Sequence, residues 1–299
     1  MSTLRLAPGV EVGAATHTGH VRSDNEDDYI ILSLPEQDLL LLAVADGMGG
    51  LAGGRDASRA AVRALGTTCA ARVADRDGAA VLRAGFEAAA AQLAAIAQSN
   101  QRLADLGTTL TACQLRGDGS FLGHVGDSRC LRVRRAVVEQ LTEDHALEEP
   151  RHMLTRCLGA GQSGADGDFF PLEVRGEDVL VLCTDGAWSV LGTEEIAAAF
   201  RGRSLQTACE TLLRTVLSRG APDNATIVAV RRDPAAQGAV RNIDLKEGEI
   251  RPPLEATAAG NLRRPLWPWL LLILALLVAI FAWFRGRHGF GLLGSLLGG

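Results

Sequence analysis

The sequence predicts an α+β fold, in which two groups of strands are separated by a pair of long helices. Short apolar runs bounded by glycine, aspartate or other polar residues recur through the first 232 residues, a pattern typical of strands. Two alanine-rich stretches lie between the two groups of runs and are long enough for helices. Because blocks of strands flank a helical pair, a layered α+β arrangement is favoured over alternating βαβ units.

The predicted elements follow one another from residue 11 to residue 230. The predicted strands are Glu11–Thr16, Tyr29–Leu32, Leu39–Ala45, Thr109–Leu115, Ser120–Val125, Cys130–Val133, Val137–Leu141, Val179–Cys183 and Ala225–Val230. The predicted helices are Gly54–Val73, Asp77–Ser99, Thr193–Phe200 and Ser204–Arg219. Thr193 and Ser204 are suitable N-caps, because a short hydroxyl side chain can accept a hydrogen bond from the first turn.

Composition narrows the function classes. The chain has 299 residues, enough for one large or two small domains, and its 30 basic against 35 acidic residues argue against a nucleic-acid binder that relies on bulk positive charge. Six cysteines occur without Cys-x-x-Cys spacing, which predicts reduced core residues. The N-terminal segment lacks the pattern of a signal peptide, so we expect the N-terminal part of the chain in a reducing cytoplasm.

The C-terminal part differs in composition from the rest. Residues 233–265 are rich in proline, glycine, alanine and charge and predict a flexible linker. Residues 266–284 carry no charge and would span roughly 28 Å as a helix, which predicts a transmembrane helix rather than a buried core helix. Tryptophans mark its ends, and a short glycine-rich tail, 285–299, follows. We therefore expect a single-pass inner-membrane protein whose N-terminal domain, 1–232, is cytoplasmic.

Acidic residues recur beside these apolar runs in five places. They are Asn25-Glu26-Asp27, Asp46-Gly47-Met48-Gly49-Gly50, Gly126-Asp127-Ser128-Arg129, Thr184-Asp185-Gly186 and Asp223-Asn224-Ala225-Thr226. Burying carboxylates at strand ends is costly unless positive charge pairs with them, and these acids outnumber the nearby basic residues. Hard divalent cations bound by several oxygens satisfy such groups. The pattern predicts a metal site assembled from distant segments.

The same residues resemble the motif series of a known family. Together with Arg22-Ser23-Asp24, Gly107-Thr108-Thr109 and Leu141-Thr142-Glu143-Asp144-His145, they look like the metal-dependent protein phosphatase 2C family in its bacterial form. The resemblance covers roughly residues 10 to 232, and all of the motifs occur in the family's order. It implies a four-layer αββα sandwich, with two antiparallel sheets face to face and helices on both outer faces.

The resemblance also implies roles for individual residues. Two Mn²⁺ or Mg²⁺ ions would be bridged by Asp46, one completed by Glu26 and the Gly47 carbonyl group and the other by Asp185 and Asp223. Asp127 together with Asp185 would hold a third, weaker metal. Three further residues would act around the metals: Arg22 as the phosphate clamp, Asp27 by orienting water, and Asn224 by supporting the Asp223 loop.

Less specific interpretations stand beside these roles. Arg22 could simply pair with a local carboxylate, and Asp127 could be a turn residue only. Thr108 and Thr109 are predicted to be packing residues, and Asp144 and His145 to be structural. The acids that flank the first motif, Asp24 and Asp28, are expected to be solvated.

Three features depart from the commonest form of the family. Met48 stands where eukaryotic relatives often carry histidine, and methionine cannot protonate the leaving group. His17 stands where many bacterial members carry aspartate, and a structural hydrogen bond is its simpler interpretation. The segment between His145 and Leu154 is short, which leaves substrate selection by a flap in doubt.

The sequence therefore predicts metal-dependent hydrolysis of phosphoserine and phosphothreonine in proteins by a hydroxide that bridges the metals. The expected partners are a bacterial Ser/Thr kinase or its substrates and the membrane, without nucleic acid, and the catalytic domain is expected to be monomeric. Two alternatives are an inactive binding module with the same fold and a small-molecule phosphoesterase.

Overall fold

The strands of this chain are short and mostly apolar, and most of them lie in two antiparallel sheets. The computed structural model describes residues 2–49, 53–117, 119–147, 153–162, 164–233 and 238–245. The strands are β1 Ser2–Leu6, β2 Val10–His17, β3 Asp27–Leu34, β4 Leu39–Met48, β5 Gly107–Thr108, β6 Leu110–Leu115, β7 Ser120–Val125, β8 Arg129–Arg134, β9 Val137–Gln140, β10 Leu158–Gly159, β11 Asp168–Leu172, β12 Val179–Cys183, β13 Ala225–Arg232 and β14 Arg241–Leu245.

Five α-helices occur in the described part of the chain. They are α1 Gly53–Ala71, α2 Gly78–Ser99, α3 Asp185–Trp188, α4 Thr193–Ala199 and α5 Leu205–Ser218. Asp77 caps α2 by accepting a hydrogen bond from the Ala80 N–H at 3.0 Å, and Ser204 caps α5 through the Thr207 N–H. The predicted cap at Thr193 is wrong, because Gly192 occupies that position and its N–H donates to Glu195 instead.

The strand pairings define three antiparallel sheets. The larger of the two main sheets has seven strands in the order β10-β5-β4-β6-β7-β11, with β3 paired to the other side of β4. The second main sheet has five strands in the order β2-β13-β12-β8-β9. A separate two-stranded sheet joins β1 to β14. The strand β14 lies within the range predicted as a linker, so the ordered chain continues past Arg232.

Three layers of apolar contacts give the four-layer arrangement. Between the two sheets, residues such as Ile31, Leu42 and Val44 pack against Leu182 and Val228. Helices α1 and α2 cover the outer face of the larger sheet, and α4 and α5 cover the outer face of the second sheet. The predicted α+β sandwich of two antiparallel sheets flanked by helices is confirmed.

Helix α2 has the length and apolar composition to cross a membrane, and among the described residues it is the one helix that does. Its apolar side packs on the larger sheet, where Val81, Leu82 and Phe86 are buried. The predicted transmembrane helix, 266–284, and the tail lie outside the described residues.

Candidate metal centre

The carboxylates meet at one end of the two sheets because of strand register and the two-residue period of side chains. Asp27 and Asp46 are directly opposite each other where β3 pairs with β4. Along β4, Leu42 and Val44 face the space between the sheets, so Asp46 continues on that face. Asp27 does the same after Ile31 and Tyr29, so both carboxylates point between the sheets.

Two threonines of the second sheet hold the Asp27 carboxylate. Its Oδ2 atom accepts hydrogen bonds from the hydroxyl groups of Thr184 at 2.8 Å and Thr226 at 2.7 Å. Its Oδ1 atom is buried without a hydrogen-bond partner in the described residues. Burial raises the pKa of Asp27, the two threonine bonds oppose the increase, and the nearby Asp185 and Asp223 add to it.

Asp46 is held through its main chain. Its N–H donates to Thr109 Oγ1 at 2.9 Å, and its carbonyl oxygen accepts from the Thr109 N–H and the Thr108 hydroxyl group, both at 2.9 Å. Burial raises the pKa of Asp46 well above its usual value, and Asp27, Asp185, Asp127 and Asp223 raise it further. A nearby cation would relieve this repulsion.

Glu26 and Gly47 meet the first turn of α1. A Cβ atom on Gly47 would lie 1.9 Å from the Gly54 carbonyl oxygen, and one on Gly54 would lie 2.5 Å from Glu26 Oε1, so this close approach requires glycine at both positions. Asn224 fixes the Glu26 segment, since its Oδ1 accepts from the Glu26 N–H at 2.8 Å and its amide donates to the Asp24 carbonyl oxygen at 2.9 Å.

Arg22 lies beside two of these acids. Its Nη2 lies 2.7 Å from Asp223 Oδ2, and its Nη1 lies 4.0 Å from Glu26 Oε2. The hydrogen bond to Asp223 raises the pKa of Arg22 despite partial burial. The guanidinium group is half exposed, so it can contact both a carboxylate and a bound anion at the cleft.

Hydrogen bonds with three neighbouring residues hold the loop that carries Asp127. Gly126 adopts a φ of +106°, and its N–H donates to His145 Nδ1 at 3.2 Å. Ser128 is bound by Thr109 through their hydroxyl groups at 2.8 Å, and the Asp127 carbonyl oxygen accepts from Trp188 Nε1 at 3.0 Å. Asp127 is buried.

These segments line one cleft of about 1160 Å³. It brings together seven predicted site residues, namely Arg22, Glu26, Asp46, Gly47, Asp127, Asp185 and Asp223. Leu154, Cys157 and Gln162 of the short segment after His145 form part of its wall. Asp27, which is paired with Asp46 across the two strands, is buried and does not line the cleft, and Asn224 follows Asp223 in the chain.

The donor set fits hard divalent cations. Its ligands are carboxylate and carbonyl oxygens without nitrogen or sulfur, the set preferred by Mg²⁺ and Mn²⁺, and the buried Asp27 Oδ1 atom adds an acceptor. Among the described residues no group of three or more acidic, histidine or cysteine side chains already forms a closed ligand set.

Several expectations are settled by these contacts. Asp28 is not solvated: it faces the helix layer rather than the space between the sheets and is 8% exposed. Asp24 is exposed and pairs with Arg55 at 2.5 Å. Asp144 binds Arg129 and His145 binds Gly126, so both have structural contacts as predicted. His17 accepts a hydrogen bond from the Gly19 N–H at 2.9 Å.

The roles of five residues around the site were missed. Thr108 and Thr109 position Asp46 rather than only packing, Thr184 and Thr226 hold Asp27, and Trp188 contacts the Asp127 loop. The two-residue period could have identified both Asp27 partners, because Thr184 follows Leu182 and Thr226 precedes Val228 on the face between the sheets.

Comparisons with known proteins agree with this arrangement. A family model described as Protein phosphatase 2C matches residues 16–222. The Serine/threonine phosphatase stp of Listeria monocytogenes serovar 1/2a is 29% identical over 244 residues, which cover 75% of this chain and 96% of that protein. The Serine/threonine protein phosphatase PstP of Mycobacterium tuberculosis H37Rv is 28% identical over 282 residues, covering 86% of this chain and 50% of that protein.

Solved structures show the same similarity. The crystal structure of Mycobacterium tuberculosis serine/threonine phosphatase PstP/Ppp has a TM-score of 0.66 at 28% identity and covers 75% of this chain and 99% of that chain. The catalytic domain of PstP in complex with two manganese ions has a TM-score of 0.63 at 29% identity and covers 75% and 98%.

Proposed function

Because the chain belongs to the protein phosphatase 2C family, we propose that it hydrolyses phosphoserine and phosphothreonine in proteins with Mn²⁺ or Mg²⁺ as its cofactor. The observation that carries the proposal is the convergence of Glu26, Asp46, Asp127, Asp185 and Asp223 on one cleft whose rim carries Arg22. The similar phosphatases of Listeria and Mycobacterium, one of them solved with two manganese ions, support it.

Most of the acidic residues of the cleft would bind the metals. Asp46, Glu26, the Gly47 carbonyl group, Asp185 and Asp223 would hold two metals, and Asp127 with Asp185 a third. When bound, the metals supply Lewis acidity that offsets the negative charge of the phosphoryl group and makes water a stronger nucleophile.

Three further residues lie around the metal ligands. Arg22 binds phosphoryl oxygens with its planar guanidinium group. Asp27, anchored by Thr184 and Thr226, would orient water beside Asp46. Met48 lines the cleft but cannot donate a proton to the leaving group.

The apolar surface beside the cleft suits a protein substrate better than a small metabolite. The cleft is open at the surface, and the exposed Val21 and Met153 side chains, 72% and 56% exposed, lie next to its lining residues Arg22 and Leu154. An extended peptide can cover such apolar residues, whereas a small phosphate ester would leave them in water.

We also propose that residues 266–284 anchor the protein in the inner membrane with the catalytic domain in the cytoplasm. The support is the charge-free apolar run with tryptophans at its ends. About twenty residues lie between β14 and this run in the sequence. Attachment to the membrane would raise the local concentration of membrane-bound Ser/Thr kinases and their substrates.

The test is hydrolysis of phosphoserine and phosphothreonine peptides by the full-length protein, with and without Mn²⁺, beside a panel of small phosphate esters. We expect Mn²⁺-dependent release of phosphate from the peptides, loss of it in excess chelator, and loss of nearly all turnover in Asp46→Asn. Full activity in chelator would contradict the metal assignment. Preference for the small esters would favour the phosphoesterase alternative, and no turnover of either would favour a binding module.

The membrane proposal needs a separate measurement. We expect the full-length protein in the membrane fraction and release only by detergent. Recovery from the soluble fraction, or release by high salt alone, would contradict an anchor at 266–284.

A further inference from the structure

A single side chain, that of Trp188, connects two of the acidic segments. Trp188 is the last residue of α3, whose first residue is Asp185. Its indole Nε1–H donates to the main-chain carbonyl oxygen of Asp127 at 3.0 Å. The two segments belong to different strand connections, and this hydrogen bond spans the gap between them.

The Arg129 guanidinium group stacks on the face of the indole ring and holds it in place. The Arg129 guanidinium carbon lies 3.4 Å from the centre of the Trp188 ring, within the range of a strong cation–π contact. Asp144 holds that guanidinium group through contacts of 2.7, 3.0 and 3.2 Å. Because Arg129 follows Asp127 by two residues, the ring is attached to the Asp127 loop at two points.

We infer that Trp188 is a positioning residue for metal binding, which sets the place of Asp127 relative to Asp185. The inference rests on the proposed function, since it requires that both carboxylates serve an ion. Asp127 and Asp185 both line the cleft, and Asp46 lines it with them. If the hydrogen bond from Trp188 is lost, the Asp127 loop can move away from Asp185. The two ligands would then separate, while Asp46, held by Thr109, stays in place.

The experiment measures Mn²⁺ binding to the full-length protein in detergent by calorimetry. Asp127→Asn first identifies the binding step that depends on Asp127. Trp188→Phe then keeps an aromatic face for Arg129 but removes the N–H donor, and we expect it to weaken that step about three- to tenfold, the value of one hydrogen bond. The steps that remain in Asp127→Asn should stay unchanged.

Arginine variants give an independent test with a matched control. Arg129→Lys keeps the charge but loses the planar stack and the paired contacts to Asp144, so it should weaken the same step. Arg132 lies on the same strand, β8, and pairs with Glu139 at 2.5 Å, away from the indole. Arg132→Lys should therefore bind Mn²⁺ like the wild type.

The outcomes are distinct. A lower Tm of Trp188→Phe with unchanged Mn²⁺ binding would show a merely structural role and overturn the inference, as would an active wild type in which Asp127→Asn loses no binding step. If Trp188→Phe does not fold, Arg129→Lys against Arg132→Lys decides. A wild type that binds no Mn²⁺ and hydrolyses no phosphopeptide would instead refute the proposed function, and the inference with it.

Discussion

Replacing Thr226 with valine tests whether the hydroxyl groups around Asp27 belong to the catalytic site. Thr226 is fully buried, and its Oγ1 atom contacts Asp27 Oδ2 at 2.7 Å and Thr16 Oγ1 at 2.8 Å. Valine has nearly the same shape, so Thr226→Val removes both contacts while leaving the packing between the sheets almost unchanged.

The magnitude follows from the two contacts that are lost. A hydrogen bond contributes about 0.5–1.5 kcal/mol when both groups are neutral and about 1.5–3 kcal/mol when one is charged, and the 2.8 Å bond from Thr184 to the same oxygen remains. We therefore expect the free energy of unfolding to fall by about 2 kcal/mol. Residues that orient a metal ligand or its neighbours typically change metal affinity or activity 10–100-fold, so kcat/KM should fall by at least about tenfold.

Urea unfolding, Mn²⁺ calorimetry and phosphopeptide kinetics measured together separate the two effects. Thr215→Val is a suitable control, because its hydroxyl group donates to Thr211 within α5 and not to any acid of the cleft. The control should lose little activity. A Thr226→Val protein that is less stable, but keeps wild-type Mn²⁺ affinity and kcat/KM, would refute the reasoning.

Three further predictions concern the cleft, the core and the chain ends. Arg22→Ala should raise KM for phosphopeptides about tenfold. It should not lower Mn²⁺ affinity, because the substitution also frees Asp223 from a 2.7 Å ion pair. Weaker Mn²⁺ binding by calorimetry would contradict this. Burial opposes ionisation of Asp178, but the hydrogen bonds from Arg134 outweigh burial and lower the pKa of this carboxyl group. The ionised Asp178 therefore contributes fully to stability above the unfolded-state pKa of about 4. This contribution is lost as the pH falls through the folded-state pKa. Asp178→Asn should accordingly lower Tm by several degrees at pH 7, and the difference from wild type should shrink in acid. A protein ending at Arg232 should have a lower Tm than one ending at Leu245, because it lacks β14, but the same turnover on peptides; equal Tm values would show that β14 contributes nothing.

Most of the strand order could be predicted from apolar runs, and the failures have local causes. The bounds of Ser120–Val125 and Val179–Cys183 are those predicted. Strand β11, Asp168–Leu172, was missed because Pro171 argues against a strand; it lies at the edge of its sheet, where a missing N–H is tolerated. Strand β14 follows a proline- and glycine-containing segment and is polar, so only its pairing with β1 identifies it.

The acids of the site could be predicted because the motifs place each one at the end of a strand. Their partners could not, because hydrogen bonds across the two sheets depend on the packing of strands far apart in sequence. Asp27 lies in the larger sheet, whereas Thr184 and Thr226 adjoin or belong to strands of the second one. The same reason explains Asp28: the acid next to Asp27 faces the opposite layer and is buried beneath α1 instead of being solvated.

The two sides of the cleft differ in how firmly they are held, and this bears on which residue can adapt to a substrate. Asp27 and Asp46 lie opposite each other in a strand pair, and Asp46 is fixed by three hydrogen bonds to Thr108 and Thr109. Asp223 and Arg22 lie on connections between strands, and the Arg22 side chain is 49% exposed. The strand-borne acids thus provide a rigid reference for the metals, whereas Arg22 can leave Asp223 for a phosphoryl group at little cost, since an exposed ion pair contributes at most about 1 kcal/mol.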